Sequence, residues 1–186
     1  MPRAIQCFEA QTYPRKRLLV LYDKADDVAH DLFHDSRIEV YLASRTKLTI
    51  GGKRNEASEL ATGELIAVWD DDDVSSRTRL ADQVERLILS GKAVTGYHTL
   101  RFTNGVRWHE YCGADNYAPG TTLMYRRDWW EKHPFPDLQV GEDAAFVKAA
   151  AQEDQLITTN AGNHMYATVH PGNTAPKQFL NAHGAH

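Results

Sequence analysis

Apolar residues recur along this chain at two spacings, one helical and one extended, and the switches between them lay out its elements. In "RAIQCFEAQ" Ala4, Ile5 and Phe8 share one helical stripe, and the proline of "TYP" ends the helix, because a residue before proline is pushed out of the α region. Residues 17–23, "RLLVLYD", are a continuous apolar run ending in a carboxylate, the pattern of a strand buried on both faces in a parallel sheet. "DDVAHDLFHD" predicts a short helix and "RIEVYLA" a second strand. Residues 53–62, "KRNEASELAT", hold strong helix formers that run to Gly63, a natural stop, and "LIAVW" is a third strand. In "SSRTRLADQVERLILSG" Leu80, Val84, Leu87 and Ile88 stand at helical spacing, with Gly91 as terminator. "AVTGYHTLRF" and "VRWHEYC" read as strands joined across "TNG", and "GTTLMYR" as another. "DAAFVKAAAQE" is a helix, "LITT" a short final strand, and residues 171–186 a turn-rich, loosely held tail.

Strands alternating with helices, with a few strands in succession, predict an α/β fold whose sheet is mixed and mostly parallel. At 186 residues, 42% hydrophobic and 25% charged, residues 1–186 make one domain with one sizeable core. A formal net charge of −4 offers no general attraction to nucleic acid, and the basic cluster "YPRKR" is a short solvated face. Cys7 and Cys112, far apart, supply neither metal-ligand spacing nor a disulfide framework and are expected to be inert core thiols. No apolar run reaches membrane-spanning length, and "MPRAIQCFEA" lacks the pattern of a secretory signal, so the expected location is cytoplasmic.

The chemistry concentrates in "GELIAVWDDDDVSS", where Asp70, Asp71, Asp72 and Asp73 follow the third strand. The carboxyl ends of strands are where open α/β sheets place their ligands. Four adjacent carboxylates repel one another, so either some stay protonated or a hard cation holds them ionised. Oxygen ligands favour magnesium or manganese, and such ions are held by one or two carboxylates together with substrate phosphates. A capping role for Asp73, at the opening of the next helix, accounts for one or two of the four but not for all.

Four separated motifs resemble those of the family 2 glycosyltransferases of the GT-A fold: Gln11 to Pro14, the Arg54-Asn55 pair opening a helix, the Asp70 to Asp73 block, and Glu142-Asp143. The resemblance spans roughly residues 4 to 150 and implies a Rossmann-like nucleotide-binding half. It also implies transfer of a sugar from a nucleotide diphosphate, a UDP-sugar in the first instance, to an acceptor hydroxyl with inversion. A manganese or magnesium ion would sit on Asp72, with Asp73 and His170 as further ligands. Asp70 and Asp71 would serve the nucleotide sugar, Asp23 the nucleobase and Arg54 the phosphates or base. Asp143 would be the general base, with a capping acid as the competing role, and Glu142 would orient the acceptor or Asp143. Trp108, His109, Trp129 and Trp130 are candidates for an acceptor platform or for core.

The family places a strand and loop ahead of the first helix, whereas this chain starts inside that helix. Two neighbouring strand edges are therefore expected to be open, which favours a homo-oligomer. Two other readings compete with the enzyme. One is a nucleotide-sugar or metal-binding module without turnover. The other is a different metal-dependent phosphoryl-handling enzyme, under which the Gln-Thr-Tyr-Pro and Glu-Asp elements are coincidence.

Overall fold

The computed structural model describes residues 2–23 and 35–173. Helix α1 (Pro2–Glu9) turns Ile5 and Phe8 onto Leu18 and Val20 of β1 (Leu18–Tyr22), which pairs in parallel with β2 (Ile38–Leu42). Helix α2 (Ile50–Leu60) and β3 (Leu65–Ala67) follow, then β4 (Val74–Ser75) and α3 (Arg79–Ser90). The long β5 (Val94–Thr103) and β6 (Trp108–Cys112) form the expected hairpin, and β7 (Met124–Arg126) leads into α4 (Arg127–Lys132). Helix α5 (Glu142–Gln152), β8 (Leu156–Asn160) and β9 (Met165–Thr168) complete the described chain.

The strands form two sheets. One holds β1 and β2 alone; the other runs β3-β7-β5-β9-β4, with β6 and β8 also on β5. β5 is long enough to change partners along its length: Val94 and Thr95 pair with both β7 and β8, while Arg101 to Thr103 pair with both β6 and β9. Direction is mixed, as the alternation of elements predicts. β1–β2, β5–β8 and β5–β9 are parallel and the other four pairings are antiparallel, since the hairpin and the reversed β7 enlarge the antiparallel share. On one side of the large sheet Val94, Leu123 and Tyr125 meet Phe135, Phe146 and Val147. The Phe135 and Phe146 rings stack at 4.1 Å. Leu80, Val84 and Leu87 of α3 pack with Met124 and the side chains of β3.

Several elements depart from the sequence pattern. α2 starts at Ile50, ahead of residue 53, because the Thr49 hydroxyl accepts from the Gly52 N–H (2.9 Å), and it ends at Ala61 before Gly63. Gly51 inside that helix is required by close approach: a Cβ there would lie 1.9 Å from the Pro136 carbonyl oxygen. Arg54-Asn55 accordingly lie within the helix and do not open it. Residues 120–126 are not one strand, since a 3₁₀ turn at Gly120–Thr122 precedes β7. α3 closes on Gly91 in the left-handed conformation (φ 68°), as expected, yet Ile88 is 66% exposed and the buried stripe is Leu80, Val84 and Leu87. Asp73 does not open α3, whose N-cap is Thr78, so the capping explanation of that aspartate fails. Cys112 is exposed and Cys7 half-buried, so neither is a core thiol. β4, α4 and β9 carry no signal that periodicity picks out. Most of the helix expected in "DDVAHDLFHD" lies outside the described residues, as does the tail beyond Asn173.

Candidate active site

The chain leaves β3 by way of Val68 and Trp69 and delivers the aspartates directly. One carboxylate oxygen from each of Asp70, Asp72 and Asp73 lies within 4.8 Å of the others, an all-oxygen donor set suited to a hard divalent cation. Asp71 stands on the exposed side, outside that group. The three grouped aspartates differ in their surroundings. Asp73 is 4% exposed, bonded to the Thr121 hydroxyl and accepting from the Thr168 N–H (2.9 Å), so it ties the block to the 3₁₀ turn and to β9. Asp72 accepts from His170 Nε2 (2.8 Å) and from Asn173 Nδ2 (3.0 Å). His170 Nδ1 in turn accepts from the Gly172 N–H (3.1 Å), which fixes the proton on Nε2. To ligate a metal through Nε2, His170 would have to give up that proton and the bond from Gly172. In this arrangement it is a donor to Asp72.

Also lining the site, Gly141 has φ 88° and α5 begins at Glu142. Asp143 accepts from the Gly120 N–H through Oδ2 (2.7 Å) and from the Ala144 N–H through Oδ1 (2.8 Å). It therefore serves the first turn of its helix and fixes the 3₁₀ turn, while each oxygen retains a second lone pair. Glu142 is buried and ion-paired with Arg54 (2.6 Å). Burial raises its carboxyl above the usual range, although Arg54 pulls the other way. The Arg54 guanidinium fits against Gly120, where a Cβ would fall 2.5 Å from Nη2, and stands over the Phe135 ring at 5.5 Å. Asp23, at the end of β1, pairs with Lys53 (2.5 Å), and its Oδ1 is buried with no hydrogen-bond partner among the described residues.

One cleft of about 1520 Å³ joins these groups, and every expected site residue lines it except Asp73, which lies behind the block. The four aromatic candidates are not brought together. Trp108 and His109 lie on the β5–β6 hairpin, Trp129 is in the core, and Trp130 donates its indole N–H to Asn55 Oδ1 (2.9 Å). Asn55 also clamps both backbone groups of Phe135, so it holds the loop before α5. Thr121, Asn173 and Arg79 bear on the site without a local sequence signal, since their partners lie tens of residues away.

The model of the glycosyl transferase family 2 matches residues 1–142. The chain belongs to that family. The match ends one residue before Asp143. A search of curated protein sequences finds no match. Among solved structures, S. aureus TarS 1–349 in complex with UDP aligns with a TM-score of 0.74 at 20% identity, over 91% of this chain and 56% of that one. The same protein in complex with UDP-GlcNAc gives 0.74 at 17% identity, over 95% and 56%. S. aureus TarS itself gives 0.72 at 18%, over 91% and 34%. These likenesses show the fold, mixed α/β of the GT-A kind, and the chain spans little more than half of the TarS 1–349 structures and a third of TarS. Among the described residues no helix is long and apolar enough to cross a membrane.

Proposed function

We propose that this chain is a metal-dependent, inverting glycosyltransferase of the hexosyl type, moving a sugar from a UDP-sugar to an acceptor hydroxyl. The observation that carries the reading is one cleft lined both by carboxylates of an oxygen-only group (Asp70 and Asp72, with Asp73 behind them) and by a separate carboxylate with spare lone pairs (Asp143). An inverting displacement needs these two on opposite faces of the sugar. A bound manganese or magnesium ion would supply charge neutralisation for the departing diphosphate. Asp72 is the principal ligand, being the member of the group that lines the cleft beside His170; Asp73 braces it from behind, and Asp70 and Asp71 meet the ribose or metal-bound water. Asp23 accepts from the nucleobase through its unpartnered oxygen, Arg54 stands toward the phosphates, and Glu142 holds Arg54 beside Asp143. Asp143 takes the acceptor proton. TarS structures holding UDP and UDP-GlcNAc on the same fold support the choice of donor.

Calorimetry with UDP and a panel of nucleotide diphosphates, with and without manganese, followed by donor hydrolysis, tests the reading. Equal UDP affinity with and without metal would remove it. The second reading, a binding module without turnover, is favoured by one observation: among the described residues β1 and β3, which both line the cleft, each pair with one strand only. Metal-dependent UDP binding with no hydrolysis or transfer would select it. The same open edges support a homo-oligomer, and a monomer by light scattering would remove that expectation. A cytoplasmic location fits a nucleotide-sugar donor and is part of the proposal.

A further inference from the structure

Behind the aspartates lies a charge that the proposed mechanism does not use. Arg79, the first residue of α3, is 1% exposed, so its guanidinium is enclosed by protein. It donates from Nη2 to the carbonyl oxygens of Val68 (2.9 Å) and Thr121 (2.8 Å), from Nη1 to the Ser75 hydroxyl (3.0 Å) and from Nε to Gln83 Oε1 (3.2 Å). Its face stands 4.9 Å over the Trp69 ring. One helical turn on, Gln83 donates to the Thr122 carbonyl (2.6 Å), so α3 grips two successive carbonyls of the 3₁₀ turn.

The two ends of this grip belong to the two parts of the site. Val68 is two residues before Asp70, and the turn held at Thr121 carries the Gly120 N–H that Asp143 accepts. We infer that Arg79 is a positioning residue for sugar transfer, setting the separation between the aspartate group and Asp143 through Val68 and Thr121 and supplying a fixed positive charge behind the carboxylates. This rests on the glycosyltransferase reading. Buried guanidinium is costly to keep charged, and burial draws its pKa down; the Tyr97, Asp73 and Asp70 side chains work against that. An apolar residue would fill the same space without that cost, so retention of the charge calls for a role beyond packing. The like-charge repulsion among the aspartates supplies one, because a positive charge on the protein side offsets it.

The test uses the full chain with Arg79→Met, Arg79→Lys and, as a control for stability alone, Leu87→Ala, whose side chain is buried in the same helix and bonds to nothing in the cleft. Manganese affinity without nucleotide is read by titration calorimetry at fixed pH, and kcat is read at saturating donor, both per folded molecule. Arg79→Met is expected to weaken manganese binding about tenfold. Arg79→Lys, which keeps the charge but cannot span both carbonyls, is expected to hold manganese within about threefold while kcat falls at least about tenfold, the scale of a small misplacement of reacting groups. Leu87→Ala should leave both unchanged. If Arg79→Met fails to fold, Arg79→Lys still decides the positioning claim by its kcat. Parent-like manganese affinity and kcat in the Arg79 variants, or equal losses in Leu87→Ala, would overturn the inference alone. Absence of manganese binding in the parent would overturn it together with the reading beneath it.

Discussion

The two sheets of this protein have nearly the same kind of strands and very different surroundings. β5 in the large sheet is paired on both sides along most of its length, and Val94, Tyr97 and Leu100 are sealed from solvent. β1 in the small sheet is apolar throughout, more so than β5, but has one partner strand among the described residues, and only Leu18 and Val20 of its five residues are buried. Its free edge and that of β3 both line the cleft. Apolar composition makes a strand suitable for burial on two sides; neighbours decide whether burial occurs. The consequence for function is a division of rigidity. The aspartate group, the 3₁₀ turn and Asp143 are cross-tied to the large sheet, whereas Asp23 is carried by the small one. On the roles proposed above, phosphate and acceptor chemistry would be preorganised, and nucleobase recognition would rest on the less supported half.

The contrast is most sharply exposed by the same truncation in each sheet. Leu123→Ala, just before β7 and wholly buried, should cost about 4 kcal/mol, within the usual range for deleting a core leucine. Leu18→Ala in β1 should cost about 2 kcal/mol, at the low end, because part of its surroundings is already open cleft. Urea unfolding reads both, and equal losses would break the comparison.

Next in size is the base. Asp143→Asn should lower transfer roughly a hundredfold, the scale of a lost general base, while UDP affinity stays within about threefold. The amide has one acceptor oxygen for the two N–H groups of Gly120 and Ala144, so a stability loss of about 1 kcal/mol should accompany it. Loss of stability with full turnover per folded molecule would leave Asp143 as a structural acid only. Asp72→Ala comes third: it should abolish the metal dependence of UDP binding. It should also free His170 and Asn173, so that protease cleavage near residues 169–173 quickens. Unchanged metal dependence would move the principal ligand to Asp70 or Asp73.

How far the sequence reached follows from the range of the interactions concerned. α3 and the β5–β6 hairpin were legible because helical spacing and a short glycine turn are local signals. The carboxylate group at the end of β3 was legible for the same reason: strand and acids are adjacent. The capping role weighed for Asp73 fails because its partners, Thr121 and Thr168, lie 48 and 95 residues away, where no periodicity reaches. The early start of α2 was missed because glycines are poor helix formers, although the passage of Pro136 over the helix demands a residue without a side chain at Gly51. Arg79 carries no local signal; its burial is set by the convergence of β3, the 3₁₀ turn and α3.

The smallest effect is in acid and again divides the two sheets. Asp82 on α3 accepts from Arg86 (3.1 and 2.9 Å) and from the Tyr97 hydroxyl (2.9 Å), with His164 Nε2 at 3.6 Å. Burial works against its ionisation, but Arg86, Tyr97 and His164 outweigh it and hold its carboxyl below the ordinary value. A depressed acid contributes stability that is complete above its unfolded pKa, about 4, and is lost as pH falls through the folded value. Asp82→Asn should therefore flatten the stability profile below about pH 4. Asp35, beside β2, is held lower still, at about 2, chiefly by its bonds with Arg37. Yet that pair is only partly buried and spans two residues, so much of it persists in the unfolded chain, and only the difference between the two states enters the linkage. Asp35→Asn should accordingly leave the acid limb almost as it was, despite the lower pKa. Urea midpoints from pH 5 down to pH 2.5 would decide between them, and a flatter limb in Asp35→Asn than in Asp82→Asn would show that the small sheet holds its charges as firmly as the large one.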